Sequence, residues 1–504
     1  MKSKSAPGTS GISYPLIRKA GSLAQKIFLV LANKCLKEGD IPMKWKIGQL
    51  YPIPKSENWS YNLSNVRPIV LLEAFRKVVV QVLGKRLDKV LSTYNILKGP
   101  NYAGLSGCGI SSPIHIMNNM IKEAREKNKE IWILFQDMKK AFDSVSLEML
   151  EKALRRIKLP SSIRKFVLSL FDARKIRVIT SYSLTQEFTA EDGLDQGEVI
   201  SPLLWRIFYD PLLCEIQNKE GMGYKMSLNW PTDLNFNQTK EVSWRQGVLA
   251  YADDTTWVAR SKEELSQIIK ISDEFYELND IEINGKKSEL LVINPYQTKH
   301  QKDKEISIEV GKNKDTVYAK RGSEAIRHLG VWLSEKGNSE CNTKIIAREV
   351  TRMCKVIRFK RASVSQLVYM NNSVLLPSIE FRLQTSFLSK NKCDQIQRPI
   401  WMLIKNKMEL ARSVANSICS HNGLFGLRSI WQNQIAHHTT ELTLRLNQES
   451  SVGITTRLRL KDAQIKCKSK FSLLDSRHKF IVNQIKNNLT YNIIQSISKL
   501  GFSF

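Results

Sequence analysis

No apolar run in the chain reaches the roughly 18 residues needed to span a bilayer, so no membrane span is expected. The N-terminal stretch MKSKSAPGTSG is polar and glycine-rich and lacks the apolar core of a secretory signal peptide. Cysteine is present but unpaired in pattern: Cys35, Cys108, Cys214, Cys341, Cys354, Cys393, Cys419 and Cys467 are scattered, with no CxxC pair. That spacing predicts reduced thiols in an intracellular protein, nuclear or cytoplasmic, and not a disulfide frame. Cys419, His421, His437 and His438 are neighbours in sequence but lack regular ligand spacing, which argues against zinc. There is no fixed-period repeat and no low-complexity tract.

Acidic residues are also few, at 48 against 77 Lys and Arg. With 42% hydrophobic and 25% charged residues the chain is ordinary enough to fold, and at 504 residues it can hold two to four compact modules. A net charge of +29 is the unusual quantity, and a polyanionic partner is its simplest explanation. From residue 335 onward there are 27 Lys and Arg against 10 Asp and Glu, so the last third carries +17 of it. A field concentrated in this way suits a region that grips phosphates and binds with strong salt dependence.

The pattern of elements changes at about the same point. Residues 1–22 are turn-rich, and helical periodicity follows over 23–36. The alternating segment 45–55 (WKIGQLYPIPK) predicts a strand ended by prolines, and Arg67-Pro68-Ile69 opens an apolar stretch that predicts a helix to about Leu91. Polar connectors are expected at 218–247 and 295–325, the second with strand-like runs at 306–310 and 316–319. Beyond 335 the texture is helical and basic. Trp401 and Trp431 there fit core anchors better than base-stacking platforms.

Two segments carry chemistry. In 131–145 (IWILFQDMKKAFDSV), the run Ile131 to Phe135 predicts a buried strand with Asp137 just past its end. Ser146 then predicts the cap of a helix carrying Leu147, Leu150, Leu154 and Ile157 on one face, stopped by Pro160. In 247–259 (GVLAYADDTTWVA), two apolar half-strands flank adjacent acids, the pattern of a hairpin with Asp253 and Asp254 at its tip. A carboxylate at the lip of a buried strand is costly unless paired or metal-bound, and neighbouring acids repel unless a cation lies between them. Few, hard oxygen ligands suit Mg²⁺, with Mn²⁺ as a substitute. Two such ions about 4 Å apart are what phosphoryl transfer to a 3′-hydroxyl requires. Singly, each acid is also a common turn former; the pattern gains weight from a strand-ending Asp137 some 115 positions ahead of Asp253.

These residues, in this order over roughly 5–335, resemble the reverse transcriptases of non-LTR retrotransposons. The resemblance implies an α+β right-hand polymerase, with fingers over 1–130 and a palm over 131–335, its antiparallel sheet backed by helices. A helical thumb over 336–410 and a basic helical region of unassigned role over 411–504 follow. It implies RNA-directed DNA synthesis on an RNA template and a DNA primer from dNTPs, with Asp137, Asp253 and Asp254 as ligands of two Mg²⁺. Phe142 would exclude a ribose 2′-hydroxyl. Gln196 and Gly197, in 193–205 (GLDQGEVISPLLW), would contact template and nucleotide. Lys287, in 283–289 (INGKKSE), would protonate or neutralise the leaving pyrophosphate. Arg67, with Lys55, would hold the triphosphate. The segment 103–109 resembles a finger motif, and 328–333 (HLGVWL) resembles the primer-grip strand pair.

Two positions depart from that family. Asp195 stands where proline is usual, adding an acid near the nucleotide, and Gln136 stands where small or apolar residues are usual. The motif order predicts a fragment or shortened copy of a longer element. An RNA-copying RNA polymerase is disfavoured because Phe142, not an acid, lies five residues after Asp137. The remaining alternative is an inactive or domesticated relic that binds RNA. The sequence is silent on oligomeric state.

Overall fold

The computed structural model describes every residue except 1–4, 56–57, 108, 233–237, 296–305, 470, 476–484, 486–487 and 501–504, so Cys108 lies outside the described residues. It is a mixed α+β structure whose centre is the strand Ile131–Gln136. Ile131, Trp132, Ile133 and Leu134 are all buried. Strand alternation sends Trp132 and Leu134 into a core shared with the helices Ser201–Asn218 and Lys262–Leu278. Ile131 and Ile133 point the other way, into a core built on the helix Ser111–Glu126. A strand covered on both faces has no solvent side, which explains its continuous apolar run.

Six strands form this sheet, in the order Ser307–Val310, Asp315–Lys320, Glu289–Ile293, Ile131–Gln136, Asp254–Ala259, Val248–Tyr251. Both neighbours of the central strand are antiparallel to it, with Thr255 opposite Gln136 and Glu289 opposite Phe135. The sheet is not antiparallel throughout: Glu289–Ile293 and Asp315–Lys320 run parallel, with Leu290 opposite Ala319. The strand runs read at 306–310 and 316–319 therefore belong to it. The connector at 218–247 is instead a long hairpin, Tyr224–Pro231 with Thr239–Gln246. Tyr224, Met226 and Leu228 turn inward at every second position and are buried, while polar residues between them dilute the signal.

A second sheet lies on the N-terminal side, in the order Val66–Leu71, Ile47–Pro54, Arg174–Val178, Phe188–Ala190. Here the expected helix start at Arg67 is corrected: Val66–Leu71 is a strand, and the helix runs Ala74–Thr93. Val66, Ile69 and Val70 are β-branched and suit a pleated surface. Pro68 faces Pro52 across the pair, so the two missing donors coincide instead of interrupting the ladder twice. The helix expected at 23–36 spans Ser22–Glu38. The one after Ser146 spans Leu147–Arg156, but the Ser146 side chain makes no cap bond. Asp192 supplies it, its carboxylate accepting from the Leu147 N–H at 3.0 Å.

After residue 335 the described chain is helical. The helices Asn338–Arg358, Leu376–Leu383 and Lys390–Lys407 share one core, with Trp401 and Trp431 packed against it. The helices Ile430–Leu446, Ser451–Lys466 and Leu489–Lys499 share another. No helix among the described residues is long and apolar enough to cross a membrane, and the seven described cysteines are free. His437 Nδ1 lies 2.8 Å from Glu380, and His438 Nε2 lies 3.1 Å from the Ser386 carbonyl oxygen.

The C-terminal helices are docked on the central body through Glu126, which receives Arg459 at 2.5 Å and Lys466 at 2.6 Å. Part of the basic charge read as a phosphate grip is thus spent inside the fold. Replacing Glu126 by Ala leaves the buried Arg459 with Asp462 alone, at 3.5 Å, and should destabilise the chain by about 1–3 kcal/mol. The reading is a lowered urea midpoint; a midpoint equal to the parent's would show that these pairs contribute nothing.

Candidate active site

Strand register brings the three candidate acids together. Tyr251 pairs with Asp254, so the hairpin turn is Ala252-Asp253 and Asp254 is already the first residue of its strand, one step off the tip expected from sequence. Thr255 pairs with Gln136, and one step further in the same register sets Asp254 across from Asp137. Side chains so placed are about 5 Å apart at Cβ. The charge of Asp137 acts on both partners. Partial desolvation, then repulsion from Asp253 and Asp137, pushes the Asp254 carboxyl up to about 6. Asp253 is raised in the same direction, chiefly by burial and also by Asp137. Asp254 keeps solvent contact all the same, so its repulsion is partly screened.

The backbone of Asp137 is held from the segment 283–289. Its N–H donates to Ser288 Oγ at 3.1 Å, and its carbonyl accepts from the Asn284 N–H at 2.8 Å. Lys287 is exposed in that same turn, next to Ser288. Below the acids lies a buried polar chain. Gln136 Oε1 accepts from Trp257 Nε1 at 2.7 Å and from the Tyr276 hydroxyl at 3.0 Å. The Tyr276 and Tyr209 hydroxyls are 2.7 Å apart, and Tyr209 reaches Thr255 Oγ1 at 3.1 Å. Gln136, only 3% exposed, therefore ties the central strand to its neighbour directly beneath Asp137 and Asp254. This accounts for a polar residue at a position where apolar ones are usual.

The segment 193–205 packs between the two sheets. Gln196 offers its carbonyl to the Val70 N–H at 2.8 Å, and Gly197 sits at φ +142° where an added Cβ would stand 2.4 Å from the Val70 carbonyl oxygen. Only glycine allows that approach of backbone to backbone. Phe142 belongs to the same junction: its carbonyl accepts from the Leu194 N–H at 2.8 Å, and its ring lies 5.5 Å from that of Trp205. Arg67 is exposed on its strand opposite Ile53. Lys55, also exposed, continues the facing strand, its N–H donating to the Asn65 carbonyl at 2.8 Å, and its charge reaches Asp143.

Asp195, the acid standing where proline is usual, has basic partners, although its charge still adds to burial in raising the Asp143 carboxyl. Asp195 is buried and ion-paired with Arg174, with Arg76 3.8 Å away. Arg76 binds Glu198 at 2.7 Å and donates to the Trp45 and Leu170 carbonyls, both at 2.9 Å. Sequence reasoning missed Ser288 and Asn101 as supports of the acids, because a lone Ser or Asn carries no signal. Trp205 closed a recognised motif and was within reach.

Burial and the other acids are what shift Asp253 and Asp254; no basic side chain among the described residues offsets them. Three hard oxygen donors with unbalanced negative charge fit a divalent cation. Among the described residues no group of three His, Cys, Asp or Glu, these acids included, is arranged so that it could hold a metal ion by itself. An ion that keeps its waters and takes phosphate oxygens suits such a half-built site better than a closed structural metal does.

A carboxyl raised in the folded state keeps a proton that the unfolded chain has released. Stability therefore falls as pH rises from about 3.8 to about 6. Asp254→Asn should melt higher than the parent at pH 8, by on the order of 1–2 °C given solvent screening. The advantage should vanish below about pH 4 and shrink when Mg²⁺ is added. An advantage that persists at low pH would contradict the repulsion.

Comparison with known proteins converges on one family. Residues 53–333 match the family model described as reverse transcriptase (RNA-dependent DNA polymerase). The chain is 27% identical over 285 residues to a Pol polyprotein of the retrotransposable element R2 from Popillia japonica, covering 56% of this chain and 37% of that one. It is 24% identical over 213 residues to a probable RNA-directed DNA polymerase from transposon BS of Drosophila melanogaster, covering 42% and 23%. Among solved structures, telomerase from Candida tropicalis aligns over 94% of this chain and 68% of its own at 10% identity, with a TM-score of 0.37. The chain thus spans little more than a third of the first of these retroelement proteins. The family match takes in the central strand, the acidic hairpin and the supporting turn, over more than half of the chain. The protein belongs to the reverse transcriptase family, and the relatives it resembles include proteins of retrotransposons.

Proposed function

We propose that the chain is an RNA-directed DNA polymerase of retrotransposon replication, extending a DNA primer on an RNA template. The observation that supports this reading is the register Thr255–Gln136, which continued by one step sets Asp254 across from Asp137 at the ends of neighbouring strands, with Asp253 in the adjoining turn. In this reading residues 1–130 are fingers, 131–335 a palm and 336–410 a thumb, while 411–504 is tied through Glu126 to the helix Ser111–Glu126, which packs on the central sheet.

Asp137, Asp253 and Asp254 would hold two Mg²⁺, or Mn²⁺, which when bound lower the barrier by stabilising charge on the attacking and leaving oxygens. The protein's own groups do the rest. Arg67 and Lys55 neutralise the triphosphate from the fingers sheet. Gln196 and Gly197 seat the base pair against Val70. The primer 3′-hydroxyl releases its proton to solvent as its oxygen bonds to the α-phosphorus and the bond to pyrophosphate breaks, and Lys287, exposed next to Ser288, donates a proton to the departing oxygen. Phe142, backed by Trp205, occupies the space of a 2′-hydroxyl. The strand pair Ala325–His328 and Val331–Ser334 supports the primer end. Arg348, Arg352 and Lys355, exposed along Asn338–Arg358, grip the duplex, with affinity falling as salt rises.

Primer extension on an RNA template with dNTPs and Mg²⁺ tests this reading. Asp253→Asn should lose on the order of 10³-fold or more in rate. A loss under about tenfold contradicts the metal role, and RNA binding without extension in either protein supports the relic instead. Phe142→Ala should raise use of ribonucleotides relative to dNTPs by about tenfold or more, the scale of steric fit in a substrate pocket. Unchanged discrimination would remove Phe142 from the sugar site.

A further inference from the structure

The turn that carries Asp253 is in a conformation its own sequence does not favour. Ala252 has φ +57°, a region where a Cβ crowds the backbone and where hairpins usually place Gly or Asn. Both polar backbone groups of Ala252 are held from outside the hairpin. Its N–H donates to Asn101 Oδ1 at 3.2 Å. Its carbonyl accepts from Asn101 Nδ2 at 3.2 Å and from Trp205 Nε1 at 3.0 Å. A carboxamide presents a donor and an acceptor side by side, which is what a peptide unit needs, and no carboxylate or hydroxyl does both in that form.

Neither anchor is free to drift. Asn101 is 2% exposed and bridges to Ala250, with the Tyr102 N–H donating to the Ala250 carbonyl at 2.8 Å and the Ala250 N–H to the Pro100 carbonyl at 3.0 Å. Trp205 is fully buried and stacked on Tyr209 at 5.2 Å, with Phe142 at 5.5 Å. We propose that Asn101, with Trp205 as second anchor, is a positioning residue that keeps Ala252 left-handed and thereby sets where Asp253 and Asp254 present their oxygens to a divalent cation. The inference rests on the reading of these acids as metal-holding.

The test uses the full chain, with Mn²⁺ alone titrated into metal-free protein and followed by electron paramagnetic resonance, alongside primer extension. Asn101→Ala should weaken Mn²⁺ binding by on the order of tenfold, the usual effect of removing a group that orients a ligand. The Mg²⁺ concentration for half-maximal extension should rise by a similar factor. Adding Ala252→Gly to Asn101→Ala should restore most of the binding, because glycine takes positive φ without a Cβ clash. A merely structural defect would not be rescued in this way, so absence of rescue overturns the role. Asn101→Asp and Trp205→Phe each delete one donor to Ala252 and should weaken binding severalfold, which keeps the test open if Asn101→Ala fails to fold. Parent-like Mn²⁺ binding by the Asn101 and Trp205 variants, with loss in Asp253→Asn, overturns the clamp and leaves the metal site standing. Parent-like binding by Asp253→Asn overturns the metal reading and the clamp with it.

Discussion

Like charges held together against their repulsion are the constraint around which the rest of this molecule is arranged. Asp137 follows the central strand, Asp254 opens its neighbour in the same register with Asp253 in the turn before it, and the carboxyls of Asp253 and Asp254 are raised by burial and by their acidic neighbours. Nothing local would keep them there. The central strand does it by burying both faces, so that a one-residue slip would exchange Trp132 and Leu134 with Ile131 and Ile133 between two differently shaped cores. Packing fixes register, and register fixes the acids.

The chain treats charge in two opposite ways. Arg76, Glu198, Arg174 and Asp195 are buried and mutually paired, and Arg76 also caps two backbone carbonyls. A network of this kind adds little net stability, since each ion loses its water, but it penalises any other arrangement of the loop that carries Gln196 and Gly197. The three candidate acids have no such basic partners. A protein able to neutralise Asp195 with Arg174 has left Asp253 and Asp254 without a basic partner among the described residues.

The central sheet was legible because burial on two faces writes itself as an uninterrupted apolar run, and the acidic hairpin because its half-strands flank it. Helical texture after 335 was legible for the same reason, through periodicity. Val66–Leu71 was not, since Pro68 masks a strand unless its partner Pro52 is known. The Tyr224–Pro231 hairpin was missed although Tyr224, Met226 and Leu228 alternate, because polar residues fill every other place. The candidate acids could be read from sequence, but their supports could not. Ser288 lies 151 positions from Asp137, as does Asn101 from Ala252, and a hydrogen bond across that separation leaves no mark on either segment.

Those long-range bonds also decide what moves with what. Gln196 is bonded to Val70 in the N-terminal sheet, Leu194 to Phe142, Phe142 packs on Trp205, and Trp205 donates to Ala252 beside the acids. Each link is short, and most are buried. These contacts form an unbroken series from the strand carrying Arg67 to the acidic turn through the 193–205 segment. The connection runs both ways, since energetic coupling between two sites is reciprocal.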